Sequence, residues 1–184
     1  QVAMVGGGSN PQPGEISLAH NGLLFLDELP EFSRSVLEVL RQPLEDRHIS
    51  ISRAKYSLDY PASFMLIAAM NPCPCGYYNH PEKECICGAP IVQRYLSKIS
   101  GPLLDRIDLH VEVTPVEFSE LSSIRTSEKS NVIRQRVMLA REIQKERYVI
   151  QKSIHSNAQM SSKLVREVCQ IDEKGTLLLK NAME

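Results

Sequence analysis

Apolar residues fall along this chain in three rhythms, and each predicts a different kind of element. Leu23-Leu24-Phe25-Leu26 and Phe64-Met65-Leu66-Ile67-Ala68-Ala69-Met70 are unbroken runs. Runs of that length predict strands buried on both faces, as in a parallel sheet. Residues 48–60 alternate apolar with polar, which predicts a hairpin with one wet face and its tip near Arg53-Ala54-Lys55. Leu109 to Val113 reads as a third strand, closed by Thr114-Pro115. Ile133, Val137, Ala140 and Ile143 recur at helical spacing and predict a long helix over about 128–148.

Shorter helices fit between these. One is expected near 15–21. Another runs to about Glu45 with Leu37, Leu40 and Leu44 on one face. Ser35 and Glu38 match a capping box, Ser33 could serve as the cap instead, and Pro43 predicts a kink or an early stop. A helix over 90–99, a turn and short helix over 100–106, and two helices near 161–169 and 172–184 complete the pattern. Residues 5–14 are rich in glycine and proline and predict a flexible loop, and 73–88 form a cysteine-bearing loop. The first part is therefore α/β and the tail all-helical.

Two polar details change the picture. Asp27 and Glu28 follow the first apolar run directly, and carboxylates at the end of a buried strand call for a cation or a chemical task. The plainer alternative is a strand that ends in a polar turn. Asn71-Pro72 ends the second run in the same way. The Gly6-Gly7-Gly8 tract invites comparison with a phosphate cradle, but no Gly-Lys-Ser/Thr follows it or occurs anywhere in the 184 residues.

Composition sets outer bounds. Hydrophobic residues make up 42% and charged residues 23%, as in a globular protein. The net charge of −1 gives no whole-molecule field for nucleic acid, so any such contact needs a local patch. No apolar run approaches the ~18 residues of a membrane helix, and no signal peptide is visible. The start at Gln1 and the end at Glu184 are expected to be those of a piece of a larger protein. Four of the five cysteines sit between positions 73 and 87, unlike an extracellular disulfide pattern, and a cytosolic setting fits best.

Four segments in register then carry a resemblance. Leu24-Phe25-Leu26-Asp27-Glu28, Ile49-Ser50-Ile51-Ser52-Arg53-Ala54, Ala68-Ala69-Met70-Asn71-Pro72 and Gly101-Pro102-Leu103-Leu104-Asp105-Arg106-Ile107-Asp108 resemble the AAA+ ATPases of the magnesium-chelatase type. Asn71-Pro72-Cys73-Pro74-Cys75-Gly76 and the Gly-Gly-Gly-Ser-Asn-Pro opening look like the ComM/YifB-type, competence-related branch. The resemblance implies a P-loop NTPase core with a parallel sheet, incomplete because the Walker A loop is missing. A truncated helical lid would follow. The implied boundaries are 1–115 for the core, 116–127 for a linker and 128–184 for the lid.

The same resemblance implies roles. Asp27 would engage Mg²⁺ and Glu28 the water that attacks ATP. Asn71 is similar to sensor 1, and Arg106 corresponds to an arginine finger acting on a neighbouring subunit. The alternative for Arg106 is pairing with Asp105 or Asp108. Residues 48–60 and 5–14 occupy the places of pore-lining inserts, which makes Arg53 and Lys55 candidates for DNA-backbone contact. The cations of the long helix are interspersed with Glu142 and Glu146 and read as a solvated face.

Cys73-x-Cys75 and Cys85-x-Cys87 could place four thiolates around one Zn²⁺, with His80 able to replace one sulfur; free thiols or disulfides are the alternatives. Cys169 has apolar neighbours and is expected in a core. The function implied is a hexameric, DNA-translocating, branch-migration ATPase using ATP and Mg²⁺ in the cytoplasm. The alternatives are a chelatase-type ATPase that remodels a protein partner for metal insertion, and a non-catalytic zinc-loop module. These 184 residues alone are expected to hydrolyse no ATP, for want of a phosphate cradle.

Overall fold

The computed structural model describes residues 2–8, 11–53, 56–113, 115–116, 127–151 and 154–183, apart from the side chains of Arg53 and Tyr56. The chain divides into two units, residues 1–117 and 118–184.

The first unit is α/β. It runs α1 (Val2–Val5), β1 (Gly6–Gly7), β2 (Gln12–Pro13), α2 (Glu15–Leu18), β3 (Leu23–Leu26), a 3-10 turn (Leu29–Glu31), α3 (Arg34–Glu38) and α4 (Arg41–Asp46). Then come β4 (His48–Arg53), β5 (Tyr56–Pro61), β6 (Met65–Ala68), α5 (Ala89–Leu96) and α6 (Gly101–Leu104). β3 and β6 pair in parallel, from Leu23 opposite Met65 to Leu26 opposite Ala68. β4 and β5 form the expected antiparallel hairpin, with Ile51 opposite Leu58. Its buried residues Ile49 and Ile51 alternate with exposed Ser50 and Ser52, as a half-wet ladder requires. Leu24, Leu26, Ile49 and Ile51 join Leu37, Leu40 and Leu103 in one apolar core.

Several expectations need correction. The two unbroken apolar runs are not buried on both faces. Leu24 and Leu26 are buried, but Phe25 is 54% and Met65 63% exposed. Only one face of the β3–β6 pair is covered, because α3, α4 and the hairpin all pack on the side of Leu24 and Leu26. Leu109–Val113 is not a strand: it pairs with none of the described strands, and Leu109, Val111 and Val113 are all exposed. Without a partner edge, its alternation has no ladder to join.

The expected helix up to Glu45 is two helices. The break comes at Val39-Leu40, before Pro43, which sits in the first turn of α4, where its missing N–H costs nothing. Ser33, not Ser35, is the cap residue of α3, and its hydroxyl lies 3.1 Å from that of Ser35 instead of capping the helix. Within residues 5–14, Gly6–Gly7 and Gln12–Pro13 are not open loop, since β1 and β2 pair as a two-residue ribbon. Gly6 has φ +97°, and a Cβ on it would lie 2.1 Å from the Gln12 carbonyl oxygen.

The second unit holds α7 (Ser130–Arg147), a 3-10 turn (Asn157–Gln159), α8 (Ser162–Val168) and α9 (Glu173–Met183). Tyr148 is buried, and its hydroxyl donates to Asn157 Oδ1 at 2.8 Å. The apolar face expected on α7 is present in the sequence but uncovered, with Val137 51% and Ile143 61% exposed. Cys169 is exposed rather than in a core. No helix among the described residues is long and apolar enough to cross a membrane.

Candidate nucleotide-site edge and cysteine centre

The parallel register of β3 and β6 decides what meets at their C-terminal ends. Ala69 donates its N–H to Leu26 O at 2.9 Å, and Leu29 donates to Ala69 O at 3.0 Å. The ladder thus continues past both strands and sets Asp27-Glu28 beside Met70-Asn71. In an α/β sheet, the carboxyl ends of the strands are where ligands bind. Asp27, Glu28 and Asn71 are all exposed there.

Glu28 adopts the left-handed conformation, φ 51° and ψ 48°. A non-glycine residue held there costs on the order of 1–3 kcal/mol and persists only where its surroundings impose it. Here Leu29 and Pro30 are buried immediately after it, and Glu31 donates to Glu28 O at 2.7 Å. The corner turns the chain sharply off the strand. The Glu28 N–H donates to Asp27 Oδ1 at 2.9 Å. Among the described residues no ion pair involves Asp27 or Glu28, so both carboxylates remain open to a cation. Asp27 is one carboxylate where Mg²⁺ would still need phosphate oxygens to complete its shell, and it suits that ion on those terms.

Arg106 follows α6, whose cap Ser100 accepts from Leu103 N at 3.4 Å. The guanidinium pairs with neither Asp105 nor Asp108. It makes an ion pair with Glu45, through Nη2 and through Nε at 3.1 Å, and donates from Nη1 to Pro102 O at 2.8 Å. Its partners therefore come from α4 and from α6, the helix just before it, not from the carboxylate edge. Arg53 ends β4 opposite Tyr56; its side chain and all of Lys55 lie outside the described residues.

Tyr95 was not singled out by the sequence. It is buried on α5, and burial first, then the charge of Glu31, holds its phenol above the usual range, with Cys73 and Glu28 adding to the shift and the Asn71 backbone opposing it. The spacing Val92, Tyr95, Ile99 was the available signal, because Val92 and Tyr95 are buried on α5 and Ile99 is buried just beyond its end.

The four clustered cysteines come together. The sulfurs of Cys73, Cys75, Cys85 and Cys87 all lie within 4.8 Å of one another. Cys73 is 3.3 Å from Cys75 and 3.7 Å from Cys85, and Cys75 is 3.6 Å from Cys85. His80 takes no part: its Nδ1 accepts from the N–H of Glu82 and of Lys83, both at 3.1 Å. Hydrogen bonding, first from the Tyr77 backbone, lowers the Cys75 thiol to about 6, whereas desolvation pushes Cys85 up to about 12.

With this geometry in hand, two family models match the chain. "Magnesium chelatase, subunit ChlI" matches residues 1–121, and "Magnesium chelatase, subunit ChlI C-terminal" matches residues 127–184. The chain belongs to the magnesium chelatase ChlI family. It is 45% identical over 182 residues to competence protein ComM of Haemophilus influenzae, covering 98% of this chain and 34% of ComM. It is 44% identical to the YifB protein of Escherichia coli over 183 residues, 99% of this chain and 35% of YifB, and 46% identical to that of Salmonella typhimurium over 170 residues, 91% and 32%. The chain thus spans about a third of the length of these curated relatives. ChlI-family membership makes the first unit part of an AAA+ core of P-loop type, with a helical portion after it, which is the fold class the sequence predicts.

Proposed function

We propose that this chain is part of a ring-forming AAA+ ATPase that acts on DNA in the cytoplasm. The observation that carries the reading is the continued β3–β6 ladder, which sets Asp27 and Glu28 beside Asn71 on one open edge. ATP and Mg²⁺ are the cofactors of this reading, with structural Zn²⁺ on the cysteine loop; bound Mg²⁺ would neutralise charge on the phosphates. Asp27 holds that ion. Glu28, aimed by its left-handed corner, orients and polarises the attacking water. Asn71 holds the same water or a phosphate oxygen through its amide. Arg106 exchanges Glu45 for the nucleotide of a neighbouring subunit, as in a hexamer. Arg53, which ends β4, and Lys55, two positions on in the sequence, contact the DNA backbone in this reading. The described chain by itself turns over no ATP, because nothing in its sequence supplies a Gly-Lys-Ser/Thr cradle.

The test uses the full-length protein. Glu28→Gln should keep ATP binding and lose turnover by about 10²-fold or more. Arg106→Ala should lose ~10³–10⁵ and regain part of it in rings mixed with Glu28→Gln. Wild-type hydrolysis in Glu28→Gln would overturn the assignment. ATPase activity stimulated by DNA supports the DNA motor; activity indifferent to DNA points instead to a chelatase-type motor with a protein partner.

A further inference from the structure

We infer that residues 73–87 close on a single zinc ion held by Cys73, Cys75, Cys85 and Cys87, and that this closure fixes the distance between Asn71 and α5. The first argument is metric. Four sulfurs at a Zn–S distance of ~2.3 Å in a tetrahedron lie about 3.8 Å apart. The three separations among Cys73, Cys75 and Cys85, 3.3, 3.6 and 3.7 Å, sit near that edge, and the Cys87 sulfur lies within 4.8 Å of all three. All are far longer than the roughly 2.05 Å of a disulfide. The tetrad is also too tight to surround a cluster of several irons, whose thiolates must stand around an inorganic core. One soft ion bound to four thiolates in tetrahedral geometry suits zinc.

The second argument is the poverty of the loop. Of residues 71–91 only Cys73 is buried, and Ile86 is 87% exposed. Burial of apolar surface therefore cannot hold this segment in place. Its other ties are light: Gly76 donates to Cys73 O at 3.0 Å, and Lys83 lies 4.9 Å from the centre of the Tyr77 ring. A loop without a core of its own gains its order from a metal when it has one.

The third argument is position. Two ligands come from the start of the loop and two from its end. Cys73 lies two residues beyond Asn71, and Cys87 is followed by Gly88, the cap residue of α5. One ion thus joins the segment after β6 to the start of α5, the helix that carries buried Tyr95. Removing it frees both ends at once. The inference rests on the zinc of the proposed reading, to which it adds the ligands and the brace, and it stands without the ATPase assignment.

The chain, purified from ordinary medium, should carry one zinc per chain by elemental analysis, with absorption fine structure showing four sulfurs at ~2.3 Å. Cys75→Ser and Cys85→Ser should lose the zinc, Cys169→Ser should keep it, and Glu28→Gln should keep it too, which separates this site from the ATPase reading. If the serine variants fail to fold, zinc is instead released from the wild-type chain with a thiol reagent and a chelator. Amide exchange should then rise several-fold at 71–76 and 89–95 while β4 and β5 stay protected. A metal-free chain with a protected loop overturns the site, as does iron in place of zinc or a mass lower by the hydrogens of one or two disulfides. Zinc loss without faster exchange at 71–76 overturns the brace.

Discussion

Leu37 in the first unit has no exposed surface, whereas Leu178 in the second is 69% exposed. Leu37 was expected on the apolar face of a helix, and Leu178 lies within the last helix expected. The difference lies in what each face meets. Leu37 shares one core with Leu24 and Leu26 of β3, Ile49 and Ile51 of the hairpin, and Leu103. Among the described residues of the second unit, only Tyr148 is buried. Apolar periodicity tells which face of a helix seeks cover; it does not say whether cover is there. In the second unit the fixed points are polar instead: Asn157 takes hydrogen bonds from Tyr148 and Arg147, and its own N–H donates to Gln144 Oε1 at 2.8 Å.

The comparison breaks most easily at the core. Leu37→Ala should cost about 2–5 kcal/mol, while Leu178→Ala should stay within ~0.5 kcal/mol. Urea unfolding followed by circular dichroism reads both, and equal losses would mean the second unit buries Leu178 in solution. A smaller effect sharpens the polar half of the contrast. Tyr148→Phe keeps the packing and removes the bond to Asn157, which should cost about 1 kcal/mol and speed amide exchange at 157–159. No change there would leave the unit's order without that anchor.

The smallest effect is one of pH. The Ser100 hydroxyl first, then the Arg41 guanidinium 2.8 Å away, hold the Glu38 carboxyl below the usual range. A carboxyl lowered in the folded state stabilises above its unfolded value, about 4.3, and loses that contribution as pH falls through the folded value. Glu38→Gln should therefore lower the urea midpoint at pH 7, and the gap to wild type should close under acid. A gap independent of pH would show that shape, not charge, matters at Glu38.

Much of the first unit was legible in the sequence. β3, β6 and the β4–β5 hairpin stand where their apolar patterns placed them, and the helices α5, α6, α7, α8 and α9 fall within a few residues of their expected spans. Where burial was misjudged, the reason is that burial is a property of neighbours. Unbroken runs in β3 and β6 and alternation at 109–113 state a capacity to be covered, and the structure covers one face of the first and none of the second. The clustering of the four cysteines was legible because sequence proximity forces spatial proximity. The pairing of Arg106 with Glu45 was not, since 61 positions separate them. The left-handed corner at Glu28 carried no glycine or asparagine to announce it.

The crossing of Gly6 and Gly14 has a consequence for the alphabet the chain can use. A Cβ on Gly14 would stand 2.4 Å from both Gly6 N and Met4 O, and one on Gly6 would stand 2.7 Å from Gly14 N. Every obstacle is main chain, so trimming a neighbouring side chain relieves neither position. Gly14 has an ordinary φ of −93° and is excluded by space alone; Gly6 is excluded by space and by handedness together. A library randomised at both sites and selected for folding should return one genotype, with no compensating second change to be found at either position.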